Sequence, residues 1–500
     1  MLKVLPLLMA ISLLSFPISS AEIRLPISFI PETLVPTNLK QVDSNRVAAL
    51  ITESLFKVRD KFQLSPIIAS SYTWENNQKT INLKIRKSRF SDGSYVTSKQ
   101  IIHSLKNCIK YAKKSARLNI LNILGYKQFI NTGKNLKGLR EAGTNTIQIE
   151  LVKKGPLLLD DLSHTGCAII KPSINGSWDL LKGAIGTGPY MLKSVSNSDI
   201  VLKLNPFHEA SEIPQNVRFI NSQKANKAKE KMDLIFDLRG NENPGPEYIS
   251  YNISLPMYWQ MSLNNEKNIF KNRLVRKAVT LGLNFKKIRK FFNWEESRMQ
   301  SGLFPFGMRG FKSRKLNSGL NDLNKSKKLL KKAGYTKKNP LTLRLLLSRR
   351  GGKLENTQIW SDAFNNPYIK INPILLSHKE VIKEKKKGNY DLIFHGKSPG
   401  SIEPHMLLAS YLRDSIFNTS RVRDGKCDHY ITNAISEFNL KKRWQAYEQA
   451  QDCILNGFYV IPLATLNSGK VYINNKWELP GRNPYFLNPY RIYDWRKKRK

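Results

Sequence analysis

Two histidines in the C-terminal third of the chain are close enough in sequence to share a metal ion. His395 and His405 flank the polar segment GKSPGSIEP. Imidazole is a good ligand for nickel, so a nickel site is one interpretation of this spacing. A polar loop without a metal is the simpler interpretation, because the whole chain contains only seven histidines. We therefore expect neither a metal site nor a cofactor.

The sequence shows no residue pattern that is typical of a catalytic site. It contains no G-x-S-x-G elbow, no H-E-x-x-H helix and no EF-hand loop. The acidic pairs Asp160-Asp161 and Glu295-Glu296 are most simply solvated carboxylates. The glycines of the segment GTGPY, residues 186–190, fit neither G-x-G-x-x-G nor the Walker A spacing, and Pro189 lacks the backbone N–H that a phosphate cradle would use. We expect a protein that is not an enzyme.

Four cysteines are the remaining candidates for covalent chemistry: Cys108, Cys167, Cys427 and Cys453. They form no C-x-x-C motif, which argues against a zinc ribbon or a thioredoxin-like centre. An exported protein can form disulfides, and four cysteines allow three pairings.

The N-terminus has the pattern of an export signal. Lys3 supplies a positive charge, residues 5–16 are apolar, and Ser19-Ser20-Ala21 resembles a cleavage site. The apolar run is shorter than the roughly 18–20 residues that span a bilayer. We expect residues 1–21 to be a signal peptide cleaved after about Ala21. Because no cysteine stands directly after that site, the pattern favours a free periplasmic protein of a Gram-negative cell over a lipoprotein.

The composition predicts a globular protein with a strongly basic surface. Hydrophobic residues make up 41% of the chain, and the 82 lysines and arginines give a formal net charge of +44. The basic residues are spread over the whole chain, and no nucleic-acid-binding motif is present, so we expect no specific nucleic-acid partner. A solvated basic surface is the simplest explanation. A protein that binds an anionic polymer of the cell envelope is an alternative.

The elements that must position these residues alternate between strands and helices, which predicts an α/β fold. Residues 80–85 alternate between apolar and polar side chains, as in a half-buried strand. Asp92-Gly93 is a turn signal, and residues 97–100 form a capping box that opens a helix. Residues 53–56 have the pattern of a helix end. Residues 66–74 have the pattern of a buried segment that leads into a strand.

Several motifs occur in a characteristic order along the chain. After the helix end, the strand and the capped helix come residues 186–190 (GTGPY) with a hairpin that ends at Asn205-Pro206-Phe207, a strand at 258–263, an N-capped helix at 324–335, and an apolar strand at 459–466. This order, from about residue 50 to 466, resembles the family 5 extracellular solute-binding proteins. These are the substrate-binding components of peptide, oligopeptide and nickel ABC importers.

The resemblance implies a two-lobed α/β periplasmic binding protein of the large peptide-binding type, with a ligand cleft between the lobes. Lobe I would comprise residues 22–262 plus 465–500, with a subdomain at about 46–173, and lobe II residues 263–464. In this fold only the pairing Cys108–Cys167 with Cys427–Cys453 keeps each disulfide inside one lobe. The implied function is capture of a peptide by a monomer that delivers it to an inner-membrane permease.

The resemblance also places the ligand site. Many peptide-binding relatives hold the amino terminus of the peptide with a carboxylate in an Asp-Tyr-x-Asp-Pro loop. Here the matching stretch is 395–404, in which Glu403-Pro404 fits the end of the pattern but no acid occupies 398–400. Lys397 would repel an ammonium group. Either Glu403 or Glu32 therefore replaces the missing acid, or the ligand places no amino terminus there.

The other candidate ligand contacts lie on or beside the same two strands. They are the aromatic pair Tyr258-Trp259, which either stacks on the ligand or belongs to the core of the crossing strand, together with His395, Lys397 and Ser398. The missing acid leaves a second interpretation open, in which the same fold binds an oligosaccharide, a metal chelate or an opine-like compound.

Overall fold

The computed structural model of the protein describes most of the chain. The described residues are 22–39, 41–58, 64–111, 119–210, 213–222, 231–237, 243–253, 257–292, 302–305, 322–349, 357–364, 366–398, 403–465, 469–478 and 496–497. The predicted signal peptide lies outside them. No helix within these ranges is long and apolar enough to cross a membrane.

Strands and helices alternate along the described chain, as predicted for an α/β fold. The strands are β1 (Glu22–Ile27), β2 (Phe56–Val58), β3 (Leu64–Pro66), β4 (Ala69–Glu75), β5 (Thr80–Ile85), β6 (Leu139–Glu141), β7 (Thr146–Glu150), β8 (Ile170–Lys171), β9 (Ile185–Gly186), β10 (Tyr190–Val195), β11 (Asp199–Leu204), β12 (Asn216–Asn221), β13 (Leu234–Asp237), β14 (Tyr248–Ile253), β15 (Tyr258–Leu263), β16 (Leu341–Ser348), β17 (Ile369–Leu376), β18 (Leu392–Lys397), β19 (Val460–Thr465), β20 (Gly469–Asn474), β21 (Trp477–Glu478) and β22 (Arg496–Lys497). The helices are α1 (Val42–Ile51), α2 (Ser98–Tyr111), α3 (Tyr126–Thr132), α4 (Leu158–Leu162), α5 (Asn268–Lys271), α6 (Arg273–Gly282), α7 (Phe285–Phe292), α8 (Leu323–Lys332), α9 (Gln358–Ala363), α10 (His378–Lys387), α11 (His405–Ala409), α12 (Gly425–Ser436) and α13 (Leu440–Asn456).

The first lobe is built from distant parts of the sequence. Strand β1 pairs in parallel with β12, and β11 and β10 continue this sheet in antiparallel order. A second sheet has the order β13-β20-β14, so a strand from the C-terminal end lies between two strands of the N-terminal half. Val471 and Ile473 of β20 are buried in the same apolar core as Ile23 of β1. The C-terminal end therefore belongs to lobe I.

A subdomain with its own core projects from the first lobe. Its antiparallel sheet has the order β4-β5-β7-β6, and helices α2, α3 and α4 accompany it. The core of this subdomain is formed by side chains between Leu55 and Ile169. Helix α1, by contrast, packs into the core of lobe I through Val47 and Ile51. The buried side chains of α1 and those of the predicted subdomain, expected at about 46–173, thus belong to different apolar cores.

The second lobe contains a five-stranded sheet with the order β17-β16-β18-β15-β19. Strands β17, β16 and β18 are parallel, whereas β15 is antiparallel to both of its neighbours. All six residues of β15 lie inside this sheet, because β18 covers one of its edges and β19 the other. Strand β15, which precedes the predicted lobe boundary at 262–263, thus pairs on both sides with strands of this sheet.

Several local predictions are confirmed and two are wrong. Ile81, Leu83 and Ile85 of β5 are buried on one face, and the backbone and side chains of Thr97 and Gln100 exchange the hydrogen bonds of a capping box. The predicted helix end at 53–56 is wrong, because α1 ends at Ile51 and Phe56 begins a strand. The predicted burial of 66–74 is wrong for most of the segment, because only Ile68 and Ala69 are buried and residues 70–73 of the edge strand β4 are exposed.

The two glycines of the GTGPY segment are required by a close backbone approach. A Cβ atom on Gly186 would overlap with the carbonyl oxygen of Ile51, and a Cβ on Gly188 would lie 2.5 Å from the carbonyl carbon of the same residue. The amide of Gly188 donates a hydrogen bond to that carbonyl at 2.9 Å. The segment is thus a packing contact with the end of α1, which leaves no room for a phosphate group.

Each of the two disulfides lies within one lobe. Cys108 of α2 is bonded to Cys167, and Cys427 of α12 is bonded to Cys453 of α13. This is the pairing that the resemblance implies. The first disulfide lies in the subdomain of lobe I, and the second joins the two longest helices of lobe II.

Candidate functional site

Two adjacent strands of lobe II bring most of the predicted site residues together. Strands β15 and β18 are antiparallel, with Tyr258 opposite Lys397, Trp259 opposite Gly396 and Gln260 opposite His395. The predicted residues meet because the start of β15 lies beside the end of β18. Because side chains alternate between the two faces of a sheet, Tyr258 and Trp259 point in opposite directions.

The aromatic pair at the start of β15 belongs largely to the interior of lobe II. Tyr258 has no exposed surface, and its hydroxyl lies 3.3 Å from that of Tyr411. Trp259, which is half-buried, stacks on Phe394 with ring centres 4.8 Å apart and planes 10° apart. Tyr258 is therefore a core residue in this structure and does not offer a surface to a ligand. Trp259 retains an exposed part.

His395 is the centre of a buried polar network on one face of the sheet. Its Nε2 lies 2.9 Å from the hydroxyl of Ser262 and 3.2 Å from the side-chain amide nitrogen of Gln260. The carbonyl oxygen of the Gln260 side chain accepts a hydrogen bond from the hydroxyl of Tyr411 at 2.7 Å. Burial, together with the charges of Lys397 and Lys385, lowers the pKa of His395 to about 3. The imidazole is therefore neutral at physiological pH.

Lys397 lies at the end of the same strand and at the edge of this network. Its Nζ is 3.9 Å from the centre of the Tyr411 ring and donates a hydrogen bond to the hydroxyl of Ser410. Burial, followed by the charge of Lys385, lowers the pKa of Lys397 to about 7. In the described part of the chain no carboxylate forms an ion pair with this ammonium group. The neighbouring Gly396 and Ser398 are exposed.

Glu403 is already engaged by a cation of its own lobe. Its carboxylate forms a two-point ion pair with the guanidinium of Arg443, at 2.8 and 2.9 Å, and accepts a hydrogen bond from the hydroxyl of Tyr447 at 3.0 Å. The residue is 3% exposed. This geometry makes Glu403 a buried structural carboxylate, so it is poorly placed to replace the missing amine-binding acid.

The second histidine lies in a different environment from the first. Nε2 of His405, on α11, lies 3.5 Å from the carboxylate of Asp160 and 3.8 Å from that of Asp161, both on α4 of lobe I. Burial alone would lower the pKa of His405, but the nearby carboxylates of Asp161, Asp160 and Glu403 outweigh it and raise the pKa. The histidines at 395 and 405 thus belong to two separate polar clusters.

The acids at 160 and 161 are a correction to the sequence interpretation. Both are buried at the contact between the lobes and not solvated. A signal for this burial is present in the sequence, because the two acids interrupt the apolar run LLLDDL at residues 157–162. Gln260, Ser262 and Tyr411 are further members of the His395 network that the sequence interpretation does not include. No local pattern marks them as partners of His395.

The remaining candidate, Glu32, stands apart from these clusters. It is exposed in the loop that follows β1 of lobe I. Within the described ranges it forms no hydrogen bond or ion pair with the residues of β15 and β18. The structure therefore groups five of the seven predicted residues on β15 and the end of β18. It places Glu403 in a separate ion pair and leaves Glu32 on another lobe.

The two lobes contact each other beside these clusters. Trp74 of β4 lies edge-on to Phe438 of lobe II, with ring centres 5.5 Å apart. A small cleft of about 60 Å³ lies nearby, lined by Asn119 and Lys153 of lobe I and by Thr432 and Ser436 of lobe II, among others. With the contact between α4 and α11, these interactions describe lobes that have closed on each other.

Comparison with known proteins identifies relatives across most of the chain. The family model of the bacterial extracellular solute-binding proteins, family 5, matches residues 63–419. The periplasmic oligopeptide-binding protein OppA of Escherichia coli (strain K12) is 21% identical over 466 residues, which cover 86% of this chain and 84% of OppA. The nickel-binding protein NikA of Staphylococcus aureus is 22% identical over 414 residues, 78% of each chain.

A solved structure supports the architecture. The periplasmic binding protein DppA of Helicobacter pylori, in complex with the peptide STSA, superposes with a TM-score of 0.78 at 18% sequence identity. The superposition covers 96% of this chain and 98% of DppA. The two-lobed binding-protein fold, including the C-terminal strand that returns to lobe I, is therefore established for this chain.

Proposed function

The chain belongs to family 5 of the bacterial extracellular solute-binding proteins, and from this premise we propose that it captures a peptide between its two lobes and delivers it to an ABC permease. The observation that carries the proposal is the family match over residues 63–419, which includes most of the subdomain and both strands of the candidate site, β15 and β18. OppA is an oligopeptide-binding protein by name, and the structure of DppA contains a bound peptide. Both relatives favour a peptide over nickel as the ligand.

The candidate site has features that suit a peptide. Gly396 and Ser398 are exposed at the end of β18, and β16 pairs only with Leu392 and Ile393, so no described strand lies against this end of β18 on the side away from β15. Pairing through backbone groups binds peptides with little dependence on their sequence. Contacts between the lobes, such as that between Trp74 and Phe438, form when the cleft closes. A ligand that touches both lobes stabilises this closed state.

The place and partners of the protein follow from this role. We expect export by the signal at residues 1–21, with cleavage after about Ala21, and a periplasmic location like that of the relatives. The expected partner is an inner-membrane permease complex, and the protein is expected to act as a monomer without covalent chemistry. The buried Ser262–His395 pair supports a role without catalysis, because Ser262 has no exposed surface and a histidine with a pKa of about 3 is a weak base.

The test is to identify what the protein carries when it is isolated from its own periplasm. Native mass spectrometry should detect a mixture of short peptides, and pools of synthetic peptides should raise the melting temperature. The stabilisation should persist in about 0.5 M salt, where interactions between exposed charges are largely screened. A single non-peptide mass would contradict the proposal. Binding only to anionic polymer, lost in salt, would favour the envelope-protein interpretation instead.

A further inference from the structure

Lys397 carries a positive charge into lobe II, and none of the described carboxylates forms an ion pair with it. Its ammonium group contacts the face of the Tyr411 ring and the hydroxyl of Ser410. Neither group is an anion, and both are buried. A ring face and one hydroxyl replace only part of the hydration that an ammonium group loses on burial. Such a position is favourable for an anion that arrives from outside.

Two described carboxylates that are close to Lys397 or Lys385 in the sequence are bound to other groups. Glu403, six residues further on, is held by Arg443 and Tyr447. Glu384 of α10 accepts a hydrogen bond from the side chain of Asn389. Neither carboxylate pairs with Lys397.

The other charged groups near Lys397 increase the positive potential. Lys385 of α10 is close enough for its charge to disfavour the charged forms of both Lys397 and His395. His395, on the same face of β18, is held neutral by burial and by its contacts with Ser262 and Gln260. The combined electrostatic potential of these groups is positive, so it repels an ammonium ion and attracts a carboxylate.

The position of Lys397 makes this charge available to a ligand. It is the last residue of β18, and the residue itself is partly exposed. Its partner in the sheet is Tyr258, the first residue of β15, at the place where the chain enters lobe II. A ligand that lies along this end of the two strands therefore reaches the ammonium group with a short side chain or a chain terminus.

We propose that Lys397 binds a carboxylate of the ligand, so that this protein selects solutes that present an acidic group at the end of β18. The inference rests on the proposed function and specifies its ligand. The carboxylate comes from the C-terminus of a peptide or from an aspartate or glutamate side chain, and the experiment below separates these two sources.

The experiment measures binding of one pool of random tetrapeptides in three chemical forms. The forms are unmodified, N-acetylated, which removes the ammonium group, and methyl-esterified, which removes the carboxylates. Two further pools separate the sources: one has C-terminal amides and retains aspartate and glutamate, and the other lacks these two residues but keeps a free C-terminus. Binding is followed by thermal shift and by titration calorimetry with the mature protein.

Three variants accompany the wild type. Lys397→Met removes the charge at nearly constant length, Lys397→Arg keeps the charge, and Lys370→Met removes an exposed charge from β17 of the same sheet as a matched control. Removing a partly buried charge that has no carboxylate partner among the described residues should leave the melting temperature of the free protein unchanged or raise it. This measurement separates loss of binding from loss of folding.

The wild type should bind the unmodified and N-acetylated pools with similar affinity. Its affinity for the esterified pool should be lower by about tenfold or more. Lys397→Met should lose this preference, while Lys397→Arg and Lys370→Met retain it. The proposal is overturned if acetylation abolishes binding and esterification does not, or if Lys397→Met binds the unmodified pool as tightly as the wild type. If no pool binds in any form, the proposed peptide function fails, and the assignment of Lys397 fails with it.

Discussion

The imidazole of His405 in lobe II lies 3.5 Å from the carboxylate of Asp160 in lobe I. Asp161 of the same helix is 3.8 Å away, and Glu403 lies in the same cluster with its partner Arg443. Three carboxylates and one guanidinium leave an excess of two negative charges, which protonation of His405 reduces to one. The contact therefore links the closed arrangement of the lobes to the charge state of one histidine.

This cluster predicts a stability that depends on pH. The pKa of His405 is raised in the folded protein, whereas that of an unfolded histidine is about 6.5. The stabilisation is therefore complete below about pH 6.5 and is lost as the pH rises through the higher folded value. His405→Gln should lower the free energy of unfolding by about 3 kcal/mol on the acidic side, and by less at alkaline pH. Chemical denaturation across this pH range measures the difference.

A matched control and a partner variant make this test specific. His429→Gln replaces an exposed histidine of α12 and should change the free energy of unfolding little at any pH. In a double-mutant cycle, Asp161→Asn should couple to His405→Gln, because the two groups share one interaction. A difference between wild type and His405→Gln that stays constant with pH would show that His405 acts through packing alone.

Glu403 is expected to support the fold and not to anchor an amine. Glu403→Gln leaves Arg443 buried without its counter-ion, so the free energy of unfolding should fall by about 3 kcal/mol. The double variant Glu403→Gln with Arg443→Met should recover part of this loss. Glu209→Gln, an exposed acid of lobe I, is the control. Unchanged stability together with a large loss of peptide binding would instead identify Glu403 as the amine anchor.

The sequence predicts those parts of the fold that depend on neighbouring residues. The alternation over residues 80–85 predicts β5, because one face of the strand is covered by its own subdomain. The capping box at Thr97 and Gln100 is equally local, since its hydrogen bonds span three residues. The lobe boundary was less predictable. Strand β15 is the crossing strand and also an internal strand of the sheet in lobe II. Its place in that sheet is known only from its partners β18 and β19, which are distant in the sequence.

The sequence predicts which strands carry the candidate residues, but it does not reveal how deeply each residue is buried. The register of β15 and β18 brings Tyr258 and Lys397 together, but burial by Tyr411, more than 150 residues from Tyr258 in the sequence, makes the tyrosine a core residue. The sequence predicts that Asp160 and Asp161 are solvated, but in the folded protein both are buried beside His405 of lobe II. Long-range packing determines these roles, so no local pattern reveals them.

The GTGPY segment gives a test of the contact between α1 and β9. Gly186→Ala introduces a methyl group against the backbone carbonyl of Ile51, and a backbone atom cannot move aside as a side chain does. We expect the free energy of unfolding to fall by about 3 kcal/mol. Gly396→Ala is the matched control, because a Cβ there meets the Trp259 ring at an ordinary distance of 3.6 Å. Equal stability of the two variants would contradict the packing role assigned to Gly186.

The proposed carboxylate site predicts that ligand affinity depends on pH. Burial and the charge of Lys385 lower the pKa of Lys397 to about 7 in the free protein. A carboxylate binds the charged form, so affinity should be constant below about pH 7 and fall by up to about tenfold per unit above it. The pKa of His395 is about 3, and those of Tyr258 and Tyr411 are raised above the tyrosine value, so these neighbours do not change charge in this range.

Titration calorimetry with the N-acetylated peptide pool between about pH 6 and 9 measures this dependence, and Lys397→Arg provides the reference. A guanidinium stays charged over the whole range, so the affinity of Lys397→Arg should not fall with pH. Removing the nearby positive charge with Lys385→Met should move the decline of the wild-type curve to higher pH. An affinity of the wild type that is independent of pH, or that rises with it, would mean that the ligand does not pair with the ammonium group of Lys397.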